Sequence, residues 1–275
     1  MSAIDRTRRP RRFAILGKLG KADQAVRRGR GRPPHGRRYR LWLAAVVWMA
    51  CGCQHPRDPL PGFPRLVLWA WERPERLDFL NPQSAGVAFL ARTVSWHVGK
   101  IASRPRLQPF RVPPQTALMA VVRLESGGSP LPAAGAVAAE ILKAAALPGV
   151  QAIQVDFDAR LSERDWYRQL LVELRHGLKP SLPLSITALA SWCGRESWLD
   201  GLPISDAVPM LFRMGAGEPK GVRDFPAGVC RSSFGISTDE SPAELPRGRR
   251  LFVFNPRAWD EDAYRGAVRL AVKYR

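Results

Sequence analysis

The chain has 275 residues, of which 45% are hydrophobic and 24% charged, with 23 Gly and 25 Pro. That length carries a sizeable core, so a disulfide-stapled miniprotein and a wholly disordered chain are both excluded. The net charge of +19 looks like a nucleic-acid binder, but residues 1–40 alone carry 14 basic and 2 acidic side chains. The remaining residues hold a net of only +7, so the excess is concentrated in the first seventh of the chain. No nucleic-acid partner is therefore expected.

The basic segment leads into ten apolar residues at 41–50, followed by Cys51-Gly52-Cys53. Ten helical residues span roughly 15 Å, about half a bilayer core, so this is not a membrane-spanning helix. The order basic, apolar, cysteine is that of a bacterial lipoprotein signal. Residues 1–53 are read as an address, with Cys51 or Cys53 as the lipidated residue. The mature protein is then expected in the periplasm, held to a membrane by its lipid. Residues 54–64 read as a Pro-rich linker, and residues 65–275 as the folded domain.

In that domain apolar strands alternate with helical patterns. Strands are predicted at 65–71, 86–91, 117–124, 150–157, 184–189, 206–212, 233–237 and 250–254. The twenty or so residues after the second strand contain Pro105, Pro109, Pro113 and Pro114 and read as an inserted hairpin. Helices are predicted at 132–147, 162–176 and 260–271. The helix from 162 carries Ser162 and Asp165 at capping-box spacing and Gly177 at its exit. Eight strands that are continuously apolar, with helices between several of them, predict a short (β/α)8 TIM-barrel-like α/β domain. The runner-up is an open doubly wound sheet. It lacks a glycine fingerprint or phosphate loop, and no cofactor is expected.

Chemistry in such barrels gathers where strands end. Here those positions hold Trp71 and Glu72, Arg123 and Glu125, Asp156 and Asp158, Ser191 and Trp192, Arg213, Asp239 and Glu240, and Asn255 and Arg257. Asp156 and Asp158 share one face of their strand and repel, which can keep one of them protonated and ready to act as an acid. Asp158 at the rim is the candidate acid, with Asp156 beneath it and Glu72 as a further candidate. Replacing Asp158 should cost activity, and replacing the deeper Asp156 should cost stability. Trp71, Glu125, Trp192, Arg213, Asp239 and Asn255 are the candidate ligand-binding residues. Trp69, Trp198 and Trp259 also lie near strand ends and offer flat apolar faces on which sugar rings stack. Four scattered histidines give no zinc spacing, so no metal site is expected. Cys193 and Cys230 form a candidate disulfide in an exported domain, or stand as two buried thiols.

Several segments resemble the bacterial domain-of-unknown-function family 3142. They include LVLWAWE at 66–72, QVDFDAR at 154–160, LSITALASWC at 184–193, AVPMLFRMG at 207–215, GISTDE at 235–240 and FNPR at 254–257. That resemblance implies an exported protein and carries almost no function. A more distant similarity is to family 18 glycoside hydrolases, whose fourth strand carries DxxDxDxE. Over residues 151–158 the third aspartate falls on Asp156 and the catalytic glutamate on Asp158, while Gln151 and Gln154 replace the first two aspartates. Their Met-x-Tyr-Asp becomes Met210-Leu211-Phe212-Arg213, and Gly127-Gly128 echoes their Ser-x-Gly-Gly. This similarity implies a barrel acting on a polysaccharide with Asp158 as general acid. The alternative is a non-catalytic barrel that binds a glycan or a protein.

Overall fold

The computed structural model describes residues 58–194, 196–214, 224–240 and 245–275. The basic segment, the apolar run and the cysteines at 51 and 53 lie outside the described residues.

Eleven strands are present among them: β1 (Leu66–Ala70), β2 (Glu75–Arg76), β3 (Ala85–His97), β4 (Lys100–Pro105), β5 (Phe110–Arg111), β6 (Leu118–Ser126), β7 (Val150–Asp156), β8 (Leu184–Leu189), β9 (Asp206–Met210), β10 (Ser233–Ser237) and β11 (Arg250–Phe254). Eight of them, β1, β3 and β6 to β11, pair in parallel in one continuous order. Leu66 of β1 stands opposite Leu251 of β11 on one side and Ala85 of β3 on the other, which closes the sheet into a barrel. The fold is a TIM-barrel-like α/β domain. A strand enclosed on both faces must be apolar on both, and β1 and β10 are buried at every residue.

The insertion after the second strand is a hairpin. β3 runs on past the barrel wall to His97, turns at Val98 and Gly99, and returns antiparallel as β4. Both turn residues have positive φ, 48° and 71°, the geometry that matches the twist of a two-residue hairpin. Beyond it, β5 pairs with β2 in a small separate sheet.

Four helices occur among the described residues: α1 (Ala134–Ala145), α2 (Arg164–Gly177), α3 (Ala190–Gly194) and α4 (Glu261–Lys273). The capping spacing at Ser162 and Asp165 does not mark the start of α2. The chain enters through a 3-10 turn at Leu161–Glu163, and Glu163 folds back so that its Oε2 accepts from the Arg160 amide at 2.9 Å. The other oxygen of Glu163 accepts from the Ser126 hydroxyl, which ties the ends of β6 and β7 together. Gly177 is the last residue of α2 rather than a left-handed cap. A Cβ there would lie 2.6 Å from Leu142 Cδ1, so the glycine lets α1 and α2 approach closely.

Two apolar layers hold the barrel. The larger joins the outer sheet face to the helices and hairpin through Val137, Ile141, Phe157, Tyr167, Leu170 and Leu174. The smaller fills the lumen with Val67, Trp69, Met119, Val121, Val208 and Phe252. Leu60 and Phe63, from the stretch read as a linker, belong to this lumen layer and plug its lower end.

Gly235 is what makes room for Trp69 in the lumen. A Cβ at 235 would lie 2.7 Å from Trp69 Cη2 and 3.0 Å from Cζ3. The indole cannot swing aside freely, because its Nε1 donates to Gln154 Oε1 at 2.8 Å. Gln154 in turn donates to Ser185 Oγ at 3.2 Å. Gly235→Ala is expected to cost about 2–3 kcal/mol by overpacking, read as a lower urea midpoint and a shifted tryptophan emission. An unchanged midpoint would show that the ring is not confined there.

A candidate ligand site at the barrel mouth

Parallel strands bring their C-terminal ends to one face, and there the lumen opens into a cavity of about 180 Å³. That is on the scale of a cavity of about 150 Å³ that admits a benzene ring. Its walls differ in chemistry. One is aromatic, built from Trp69, Trp71, Phe212 and Phe254. Phe212 and Phe254 stack with centroids 5.7 Å apart and planes 6° apart, and Trp71 meets Phe254 edge-on at 6.2 Å. The other wall is polar, built from Arg123, Asp156, Asp158 and Thr187. A second recess of about 300 Å³ shares Arg123, Asp156 and Asp158 and extends the groove over Glu125 and Arg160.

Asp156 is the buried carboxylate of the pair. Thr187 Oγ1 donates to its Oδ1 at 2.8 Å, and Arg123 Nη1 lies 3.4 Å from its Oδ2. Burial pushes its pKa up. The Thr187 hydroxyl and Arg123 act against that rise, while Asp158 and Glu125 add to it. Asp158 sits exposed on the rim. The carboxyl favoured in its neutral form by its surroundings is therefore the deeper one. A carboxyl that resists ionisation gains little by being charged, so Asp156→Asn should not cost the stability expected from its depth.

Arg213 closes the mouth from the β9 side. Its backbone is left-handed at φ 52°, an unfavourable conformation for a side chain of this kind. Both oxygens of Glu240 accept from the Arg213 amide, at 3.0 and 3.1 Å, and hold it there. The guanidinium then lies 5.4 Å from the Phe254 ring centre. Arg123 takes the matching position 5.8 Å from the Trp71 ring. Each cation is thus laid over an aromatic face.

Four of the candidate residues are turned elsewhere. Glu72 follows Trp71 on the opposite side of the chain. Its Oε1 accepts from the Leu107 amide at 3.1 Å and its Oε2 lies 3.4 Å from Arg104, so it braces the hairpin. Trp192 is buried in the outer layer, edge-on to Trp198 at 4.8 Å. Asn255 fastens a loop, accepting from Thr238 Oγ1 at 2.6 Å and donating to the Ala258 carbonyl at 3.2 Å. Asp239 is an exposed neighbour of Arg213, and the Ser237 hydroxyl that donates to it holds its carboxyl below the usual range. Glu125 is on the rim of the second recess, where it accepts from Arg123 Nε at 3.1 Å. Of the other indoles, Trp259 is buried and donates from Nε1 to the Trp69 carbonyl at 2.8 Å. Val121, Thr187, Met210, Phe212 and Phe254 complete the cavity and were not singled out as site residues from the sequence.

Among the described residues no group of three or more His, Cys, Asp or Glu side chains is placed to hold a metal ion. No helix among them is long and apolar enough to cross a membrane. Cys193 and Cys230 are bonded to each other, with Cα atoms 5.9 Å apart. No protein-family model, curated protein or solved structure matches the chain. Topology and site together define its class: a TIM-barrel-like domain with a half-aromatic, half-polar cavity at the C-terminal mouth of its strands.

Proposed function

We propose that the protein is a cell-envelope barrel that holds a sugar ring of a polysaccharide at its mouth, as a binding module. The observation that carries this reading is the facing of an aromatic wall, Trp71, Phe212 and Phe254, by a polar one, Arg123, Asp156 and Thr187, across about 180 Å³. A sugar ring has an apolar face to stack and hydroxyls at its edge to bond, and these walls supply a partner for each. Hydrolysis usually needs two carboxyl groups flanking the scissile bond. The two carboxylates of this cavity stand two residues apart, Asp156 at the end of β7 and Asp158 just beyond it, and the opposite wall is aromatic. The disulfide and the signal-like N-terminal segment support placing the barrel outside the cytoplasm, anchored through Cys51 or Cys53.

One observation favours a second reading, a glycoside hydrolase-like enzyme. Asp156 has the raised pKa a general acid needs, with Asp158 beside it at the catalytic position of the family 18 pattern. Screening the protein on a glycan array, then assaying the hits for released reducing ends, separates the two. Binding without release, retained in Asp158→Asn, is the expected result. Release that both Asp156→Asn and Asp158→Asn abolish would replace the binding reading by the enzymatic one.

A further inference from the structure

The N-terminal ends of the barrel strands form the other face, the foot, and the chain enters the domain there. Asp58 is gripped by Arg250, at the start of β11, with Nη2 to Oδ2 at 2.9 Å. Asp58 follows Cys53 by five positions, a reach of at most about 18 Å, and Cys51 by seven, about 25 Å. A lipid on either cysteine would therefore keep the foot close to the bilayer. The foot is also strongly basic. Arg65, Lys179, Arg231 and Arg247 each precede a barrel strand and are exposed. Lys273 and Arg275 join them, because the Gly248 amide donates to the Tyr274 carbonyl at 2.9 Å and pins the end of α4 beneath β11. Two carboxylates of this face are already engaged, Asp58 with Arg250 and Asp224 with Arg249 at 2.7 Å. The mouth, in contrast, sets Arg123, Arg160, Arg213 and Arg257 against as many carboxylates, Glu125, Asp158, Asp239 and Glu240.

A recess of about 360 Å³ opens in the foot between Asp58, Arg65, Arg231, Ser232 and Arg250. Arg250 spends its donors on Asp58 and on the Pro64, Leu60 and Phe63 carbonyls. Arg65 donates to the Gly248 carbonyl, and Arg231 to the Phe225 and Pro226 carbonyls at 2.7 and 2.9 Å while lying 3.9 Å from Asp224, so both are fixed at the rim of the recess.

We propose that the foot is a docking surface for an anionic phospholipid bilayer, which orients the barrel with its ligand cavity facing away from the membrane. The proposal rests on the anchor reading for its geometry, and on charge complementarity for its chemistry. Each cation brought to an anionic leaflet strengthens binding about fivefold.

Hydrogen exchange of the full chain on vesicles tests it, with the intact mass of the same sample reporting the state of Cys51 and Cys53. One set of vesicles mixes phosphatidylglycerol with phosphatidylethanolamine, and the other is phosphatidylcholine alone. Amides at 245–249 and 272–275 are expected to slow at least fivefold on the anionic vesicles only, while those at 123–126 and 238–240 keep their rates. The slowing should be lost in Lys179→Gln/Arg247→Gln/Arg275→Gln and kept in Arg111→Gln/Arg257→Gln/Arg265→Gln, both checked for an unchanged thermal midpoint. No slowing at the foot, equal slowing on both vesicles, or slowing at the mouth overturns the proposal. So does slowing by a single-stranded oligonucleotide without slowing by vesicles, which would make the foot a nucleic-acid surface. Unmodified cysteines remove the anchor reading alone: slowing of the foot on anionic vesicles then still supports the docking surface, and its absence still overturns it.

Discussion

Replacing Asp206 by asparagine is expected to make the barrel more stable at pH 8, by up to about 4 kcal/mol, with little change at pH 4. Asp206 opens β9, is wholly buried, and faces the lower lumen. Its Oδ2 accepts from Ser233 Oγ at 2.8 Å, but its Oδ1 has no hydrogen-bond partner. Burial raises its pKa from the ordinary 3.8 to about 7, against the opposing pull of Ser233 and Arg250. Well below pH 3.8 the carboxyl is protonated whether the chain is folded or not, and the fold is unaffected. Between pH 4 and pH 7 the unfolded chain loses the proton and the folded chain keeps it, so this group's contribution declines with rising pH and then levels off. Urea unfolding of wild type and Asp206→Asn at both pH values measures the difference. A variant less stable than wild type at pH 8 would mean that the carboxylate is held ionised by a donor such as Arg250.

Removing the Cys193–Cys230 bond is expected to cost about 4 kcal/mol, from the loop closed across a sequence separation of 37. Both cysteines are buried, one in α3 after β8 and the other in the 3-10 turn before β10. The loop between them includes β9 and carries Phe212 and Arg213, so the bond confines two residues of the mouth as well as the fold. Guanidinium unfolding of Cys193→Ala/Cys230→Ala, compared with wild type kept oxidised, gives the cost. A loss under about 1 kcal/mol would mean that core packing alone fixes this segment.

The period-2 alternation of the strands explains which site residues could be read from the sequence. Asp156, the last residue of β7, and Asp158, two positions on, do converge on the cavity, with Phe157 between them turned to the helices. The same rule puts Trp69 and Trp71 inward and Glu72 outward, and Phe252 and Phe254 inward and Asn255 outward. Glu72 and Asn255 are polar strand-end residues that this rule turns away from the lumen, and Phe212 and Phe254 are apolar ones that it turns in. Thr187 follows Ser185 on the inner face of β8 and was legible in the same way. Other features depend on distant partners and leave no local trace. The left-handed backbone of Arg213 exists because Glu240 arrives from another loop. Trp192 faces outward because α3 turns away from the lumen. The prolines mark the inserted segment, but the first arm of its hairpin continues β3 through Arg92-Thr93-Val94-Ser95-Trp96-His97, where polar residues interrupt the apolar run, so the strand extends beyond the apolar stretch at 86–91. The glycine at 235 is needed only because Trp69 crosses the lumen to meet it.

A sugar ring held between the aromatic and polar walls of the mouth cavity draws its affinity from both. Calorimetric titration of an array-selected oligosaccharide into wild type, Phe212→Ala and Thr187→Val tests it most directly. Loss of the stacked ring is expected to weaken binding about fivefold, in keeping with about 1 kcal/mol for an aromatic contact. Loss of the hydroxyl that donates to Asp156 should weaken it by a few-fold. Affinities equal to wild type in both variants would contradict the claim and place any glycan elsewhere on the molecule.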